Sequence, residues 1–147
     1  MSTEIAADER QVTSSMEALH VDSSDCALRI LDITGTLLDQ PYVAQVFVMT
    51  NALFVWLGSD ARKPSLSTLS TAVATRYSPM PLVTPVVGAP EMEEQQIAQR
   101  LARRTGKQCF VSCQLPDHLP ELLAYAEKQL VRRLEQDGVI RRTRGAA

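Results

Sequence analysis

Histidine and cysteine are scarce in this chain, and each scarcity removes a class of function. Two histidines stand among 147 residues, His20 near the N-terminus and His118 far from it. Neither has a carboxylate or thiol at a spacing that would build a catalytic triad or a zinc site. The three cysteines, Cys26, Cys109 and Cys113, are odd in number and form no paired framework. With no basic and apolar leader at the N-terminus, they are expected to lie in a reducing, cytoplasmic compartment, with the nucleus as a second location. Apolar runs are strand-length and are broken by Gln45, Asn51 or Gly58, well short of the roughly 20 residues of a membrane helix. No membrane span is expected. An excess of positive charge is missing too: the net charge is −2, which argues against a nucleic-acid partner, since phosphates call for a basic domain face.

What is present is enough apolar material for one core. Hydrophobic residues make up 45% of the chain, which suits one domain and not two. Charge is unevenly spread. Glu4, Asp8, Glu9, Glu17, Asp22 and Asp25 make the N-terminus acidic, while Arg132, Arg133, Arg141, Arg142 and Arg144 make the C-terminus basic. Residues 1–25 are polar and lack periodicity, so they are expected to form a disordered acidic tail. Residues 26–138 are expected to form the domain, and 139–147 a flexible basic tail.

From Cys26 onward the composition becomes β-rich. CALRILDIT, YVAQVFVMT and ALFVWLG are expected strands, separated at Gly35, at Gln40-Pro41 and at Thr50-Asn51. SLSTLSTAVATRY is expected to form a fourth strand. Pro79 and Pro81 mark an expected turn before a fifth, LVTPVVG, where Pro85 removes a ladder donor and implies an edge or a bulge. A helix then starts after Pro90 with Glu91, Glu93 and Glu94 in its first turn, Ile97, Ala98, Leu101 and Ala102 as its buried stripe, and Gly106 as its left-handed cap. Lys107 to Leu115 is the sixth strand. Asp117 is expected to cap a last helix, with Leu119, Leu122, Leu123, Ala126, Leu130 and Leu134 at helical spacing and Asp137-Gly138 as its end. Six strands and two late helices make an α+β domain. Two helices cover one face of such a sheet, yet VAQVFVM and LFVWL are apolar on both faces. A partner chain is expected on the other.

Enzyme-like strings are few. Asp32-Ile33-Thr34-Gly35-Thr36-Leu37-Leu38-Asp39 is similar to the nucleophile loop of haloacid-dehalogenase-like phosphohydrolases, in which Asp32 would attack phosphorus. The later acidic pair and the alternating strands and helices that such an enzyme needs do not follow, so a bulge or turn at Gly35 is the competing account. Gly106-Lys107 lacks the other residues of a phosphate loop. Cys109 and Cys113 are expected on one face of a strand about 13 Å apart, too far to share a metal, and as buried core thiols. No catalytic, cofactor or metal site is therefore expected. Trp56 suits both a core and an interface. Arg100, Arg103, Arg104 and Lys107 form a basic helix face that could orient an acidic partner surface.

Phe54, Trp56, Gly58, Ala72, Val73, Arg76, Tyr77, Pro81 and Gly88, followed by the run Ala98 to Arg103 with Thr105, Lys107, Gln108 and Phe110 to Ser112, resemble the proteasome assembly chaperone 4 family. The resemblance covers roughly Leu28 to Leu134. It implies a six-stranded antiparallel sheet with two helices on one face and a partner subunit on the other. It also implies a heterodimer with a proteasome assembly chaperone 3-like subunit, and binding to proteasome α-type subunits, chiefly the fifth. Phe54, Trp56, Gln99, Arg100, Arg103, Arg104 and Lys107 are the expected partner-binding residues. The alternatives left by the residues alone are the Asp32 phosphohydrolase and a β-domain dimeric adaptor of an unrelated pathway.

Overall fold

Alternation of apolar and polar residues sets the first three strands. In the computed structural model, which describes residues 28–60 and 62–141, β1 (Arg29–Leu37) and β2 (Gln40–Val48) pair without interruption, from Arg29 opposite Val48 to Leu37 opposite Gln40. Leu38 and Asp39 alone reverse the chain, both at positive φ, 50° and 62°. That is the backbone hand a two-residue hairpin needs to match strand twist. Gly35, expected at a bulge or turn, is instead inside β1 opposite Tyr42, and a Cβ there would strike the phenol ring. Gln40 and Pro41, expected as a separator, open β2. β3 (Ala52–Gly58) extends the meander, antiparallel to β2.

β4 (Leu69–Thr75) and β5 (Ser78–Val87) form a second hairpin about Arg76 and Tyr77. Pro79 and Pro81, expected to mark a turn, fall within β5 beside Pro85. The strand tolerates all three because it is the sheet edge, where missing N–H donors break fewer ladder bonds. Pro85 also borders a bulge. Leu69 faces Val87 while Ser70 faces Pro85, leaving Val86 as the extra residue.

Helix α1 (Met92–Thr105) then crosses the sheet, closed by Gly106 at φ 70° with its N–H on the Ala102 carbonyl. β6 (Gln108–Cys113) enters between β3 and β4, so the strand order is β1-β2-β3-β6-β4-β5. β6 is antiparallel to β4 but parallel to β3. The sheet is therefore mixed and not purely antiparallel. A hairpin reverses direction, whereas a helical crossover carries the chain back and lets the next strand run the same way as the last. Because α1 separates β5 from β6, β6 repeats the direction of β5, which is also that of β3.

Helix α2 (Pro120–Gln136) has Leu119 as its N-cap with no side-chain cap, so Asp117 does not serve as expected; Pro120 takes the first turn. After Gly138 the N–H groups of Val139 and Ile140 return to the Leu134 carbonyl at 2.9 and 3.2 Å, and Ile140 is buried. The packed unit thus runs two residues beyond the expected boundary at 138. The expected acidic tail, which contains His20, lies outside the described residues, as do Cys26 at the expected start of the domain and residues 142–147 of the basic tail.

Both helices lie on one face. α1 packs over β4, β5 and β6, and α2 over β1 and β2. Ile97, Ala98, Leu101 and Ala102 of α1 and Leu122, Ala126, Leu130 and Leu134 of α2 meet Val46, Leu53, Val55, Leu57, Cys109 and Val111 of the sheet, all fully or almost fully buried. Each of the larger side chains contributes about 1.5–3 kcal/mol by leaving water.

Candidate protein-binding face

The residues between those core positions point the other way, and neither helix of the described residues lies over them. Register places Ile30 opposite Phe47, Phe47 opposite Phe54, and Phe54 opposite Phe110. Four strands thus contribute one apolar row. The Phe47 and Phe54 rings meet edge to face at 5.9 Å between centroids, a favoured aromatic geometry. All three phenylalanines remain partly open, and Ile30 is 51% exposed. Beyond the row, Val73 pairs with Leu82, which is 65% exposed. Lone exposed apolar residues are ordinary, but a continuous row of them marks an interaction surface.

A second row runs beside the first: Asp32 opposite Gln45, Gln45 opposite Trp56, Trp56 opposite Ser112. The Trp56 indole lies against Gly58, where a Cβ would collide with its ring carbons. Its Nε1–H donates to the Ser65 carbonyl at 2.8 Å. Glycine is needed here for close approach, and the bond ties the loop before β4 down onto this open face. Gln45 Nε2 donates to Asp32 Oδ1 at 3.0 Å.

This placement answers the phosphatase resemblance. Asp32 lies in mid-strand on an antiparallel edge strand, whereas the nucleophile loop it resembles ends a parallel strand and leads into a helix. The chain leaves β1 by a two-residue hairpin.

The basic helix residues sit elsewhere, on the helical side. Arg100 grips Glu127 of α2 through Nε and a terminal nitrogen at 2.6 and 2.7 Å, and this bond raises its pKa. Arg104 approaches Glu135 at 3.9 Å. Lys107 Nζ donates to the Met49 carbonyl, and Gln99 Nε2 to the Pro81 carbonyl of β5. Arg103 is exposed, 3.7 Å from Met80 Sδ. The expected partner-binding residues therefore divide into two groups on opposite sides of the sheet. Phe54 and Trp56 form part of the bare face; Gln99, Arg100 and Lys107 hold neighbouring elements of their own fold.

One residue escaped the sequence reading. Its place in the first turn suits Glu94 to the helix dipole, yet it is 2% exposed and accepts hydrogen bonds from Thr68 Oγ1, Ser70 Oγ and the Cys113 N–H, at 2.9, 2.9 and 2.8 Å. Its carboxylate locks α1 to β4 and to the end of β6. The signal was the helical period: Glu94 stands three, four and seven residues before Ile97, Ala98 and Leu101, on the buried stripe. Cys109 is buried and Cys113 partly so; burial pushes both thiols up to about 11. His118 is exposed just before α2.

Comparison with known proteins bears on what this face is for. Residues 41–115 match the family model of proteasome assembly chaperone 4. Mouse proteasome assembly chaperone 4 is 30% identical over 114 residues, spanning 77% of this chain and 90% of the mouse protein. The chain belongs to the proteasome assembly chaperone 4 family. The human member is likewise 30% identical, over 105 residues, 71% of this chain and 83% of its own length. A chain from the crystal structure of a novel chaperone complex for yeast 20S proteasome assembly shares the fold, with a TM-score of 0.60, 14% identity, and coverage of 76% of this chain and 98% of that one. The matched segment of this family member begins in β2 and ends just after β6, and so includes Phe47, Phe54, Trp56 and Phe110 of the bare face.

Proposed function

We propose that this protein is a non-enzymatic assembly factor for the proteasome core particle. It acts as a heterodimer with a proteasome assembly chaperone 3-like subunit, which covers the bare sheet face. The pair promotes correct α-ring formation by binding α-type subunits, chiefly the fifth. The observation that carries this reading is the row Ile30, Phe47, Phe54 and Phe110, an apolar face over which the described residues place no second layer, in a member of this family. Subunit interfaces have such a centre, apolar and aromatic, ringed by polar residues.

No bond chemistry is required. A pair that binds the correctly ordered ring intermediate better than its competitors shifts the population toward it by mass action. Its exposed helical side, with Arg103 at its surface, remains available to α-type subunits while the sheet face holds the partner. The setting is the cytoplasm, and the nucleus as well.

The test is recovery of the tagged intact chain from its own cells at low salt, followed by mass spectrometry of the co-purifying proteins. A second small chaperone together with α-type subunits, and few mature β-type subunits, is the expected result. Retention in finished core particles would show a role other than assembly, and recovery of neither partner would defeat the proposal.

A further inference from the structure

The bare face is not uniformly apolar. Beside the aromatic row is a cavity of about 320 Å³, walled by Phe47, Phe54 and Trp56, rimmed by the loop residues Pro64 to Leu66, and bearing the Asp32 carboxylate. Only one neighbour engages that carboxylate among the hydrogen bonds of the described residues, Gln45 through Oδ1. Three ion pairs join described residues, and none uses Asp32. An anion set among aromatic walls beside an apolar row is a poor arrangement for burial against another apolar surface, because an unpaired charge is costly to desolvate. It is a good one for a cation.

We infer that this cavity receives a basic side chain, arginine or lysine, from the partner subunit, whose charged head pairs with Asp32 while its stem lies along the aromatic walls. The inference rests on the reading of this face as the heterodimer surface. The chemistry is complementary at each point. Asp32 Oδ2 is open to a donor and Gln45 fixes the carboxylate through its other oxygen. The rings of Trp56 and the phenylalanines offer faces to a cation and apolar area to its methylene stem. Trp56 cannot turn away freely, since the Ser65 carbonyl holds its Nε1–H. Such a pair would also set register. An apolar row tolerates sliding, whereas a charge that must meet its opposite selects one docking position and rejects partners without the cation.

The experiment uses the full-length chain and the small chaperone recovered with it. Dissociation constants are measured for wild type, Asp32→Asn and Asp32→Lys, with thermal melts of each free chain to show that the exposed site leaves folding unchanged. Asp32→Asn is expected to weaken the heterodimer by about 30-fold, and Asp32→Lys by more. The partner's arginines and lysines are then changed one at a time to glutamate. One of these is expected to restore binding to Asp32→Lys while weakening binding to wild type. Binding of both Asp32 variants within twofold of wild type overturns the inference while leaving the heterodimer reading intact. Absence of any wild-type complex with a small chaperone overturns that reading and the inference with it. Weakened binding that no partner substitution restores shows that Asp32 meets no basic side chain, and also overturns the inference.

Discussion

The two faces of this sheet are written by the same strands, one residue out of phase, and they serve opposite ends. Along β3, Leu53, Val55 and Leu57 are completely buried beneath helices, while Phe54 and Trp56 between them stay half open. The difference is not one of hydrophobicity, since the open face holds the larger rings. It lies in which face the two described helices cover. α1 is committed to β4, β5 and β6 and α2 to β1 and β2, all on one side. The covered face supplies stability and the open one supplies surface.

Neighbouring substitutions on β3 separate these roles most sharply. Leu53→Ala should cost about 3 kcal/mol of folding stability, the usual penalty for a fully packed leucine, and should be read as a lower urea midpoint of the free chain. Phe54→Ala should cost the free chain only about 1 kcal/mol, mostly its contact with Phe47. Its main effect should appear in isothermal titration with the partner subunit, as affinity at least tenfold weaker, roughly the penalty of a minor hot spot. Equal losses of stability at both positions would mean that the two faces do the same work.

Glu94 belongs to the covered face although its chemistry is that of a surface. Glu94→Ala strands the buried Ser70 hydroxyl and the partly buried Cys113 N–H, and should cost about 2–3 kcal/mol in the same urea titration. Glu94→Gln keeps an acceptor oxygen and should lose less. An alanine variant as stable as wild type would show that the carboxylate is incidental to the packing of α1.

Much of this was legible beforehand, for identifiable reasons. The α1 stripe, its Gly106 cap and the edge position of the Pro85 strand all follow from local rules, and local rules were obeyed. Parallel pairing of β3 with β6 was legible in principle, because a helix between two strands permits a parallel return, but the strand beside which β6 inserts is a tertiary choice. Gly35 misled because a glycine in a strand reads as a break, while here the cross-strand Tyr42 ring covers it. Glu94 was visible only to a reading that let a carboxylate occupy an apolar stripe. The Asp32 cavity needs β1, β2, β3 and the loop before β4 together, and no spacing along the chain announces it.

Titration offers a smaller probe of the covered face. An unfolded chain ionises its thiols near about 8.5, whereas burial in the folded protein holds Cys109 and Cys113 protonated up to about 11. Between those values the unfolded state has released protons that the folded state keeps. Stability should therefore be unaffected by these groups below about pH 8.5 and should fall as pH rises toward 11. A urea midpoint that drops between pH 8 and pH 10, and drops less in Cys113→Ala, would confirm the sign; a drop of the same size in both proteins would assign it to other groups.

The smallest effect on folding is expected on the helical side, and it bears on which face meets which partner. Arg100 is tied to Glu127, so Arg100→Ala should cost up to about 1 kcal/mol, discounted because the guanidinium is half exposed. Arg103 makes no ion pair among the described residues, and Arg103→Glu should change stability by less than about 0.5 kcal/mol. If the helical side docks α-type subunits while the sheet face holds the small chaperone, Arg103→Glu should slow association with the α-type subunit, more at low salt than at high, and leave the heterodimer dissociation constant where it was. Stopped-flow association with each partner in turn reads both quantities. A change confined to the heterodimer would place the dimer contact on the helices and undo the division of labour between the two faces.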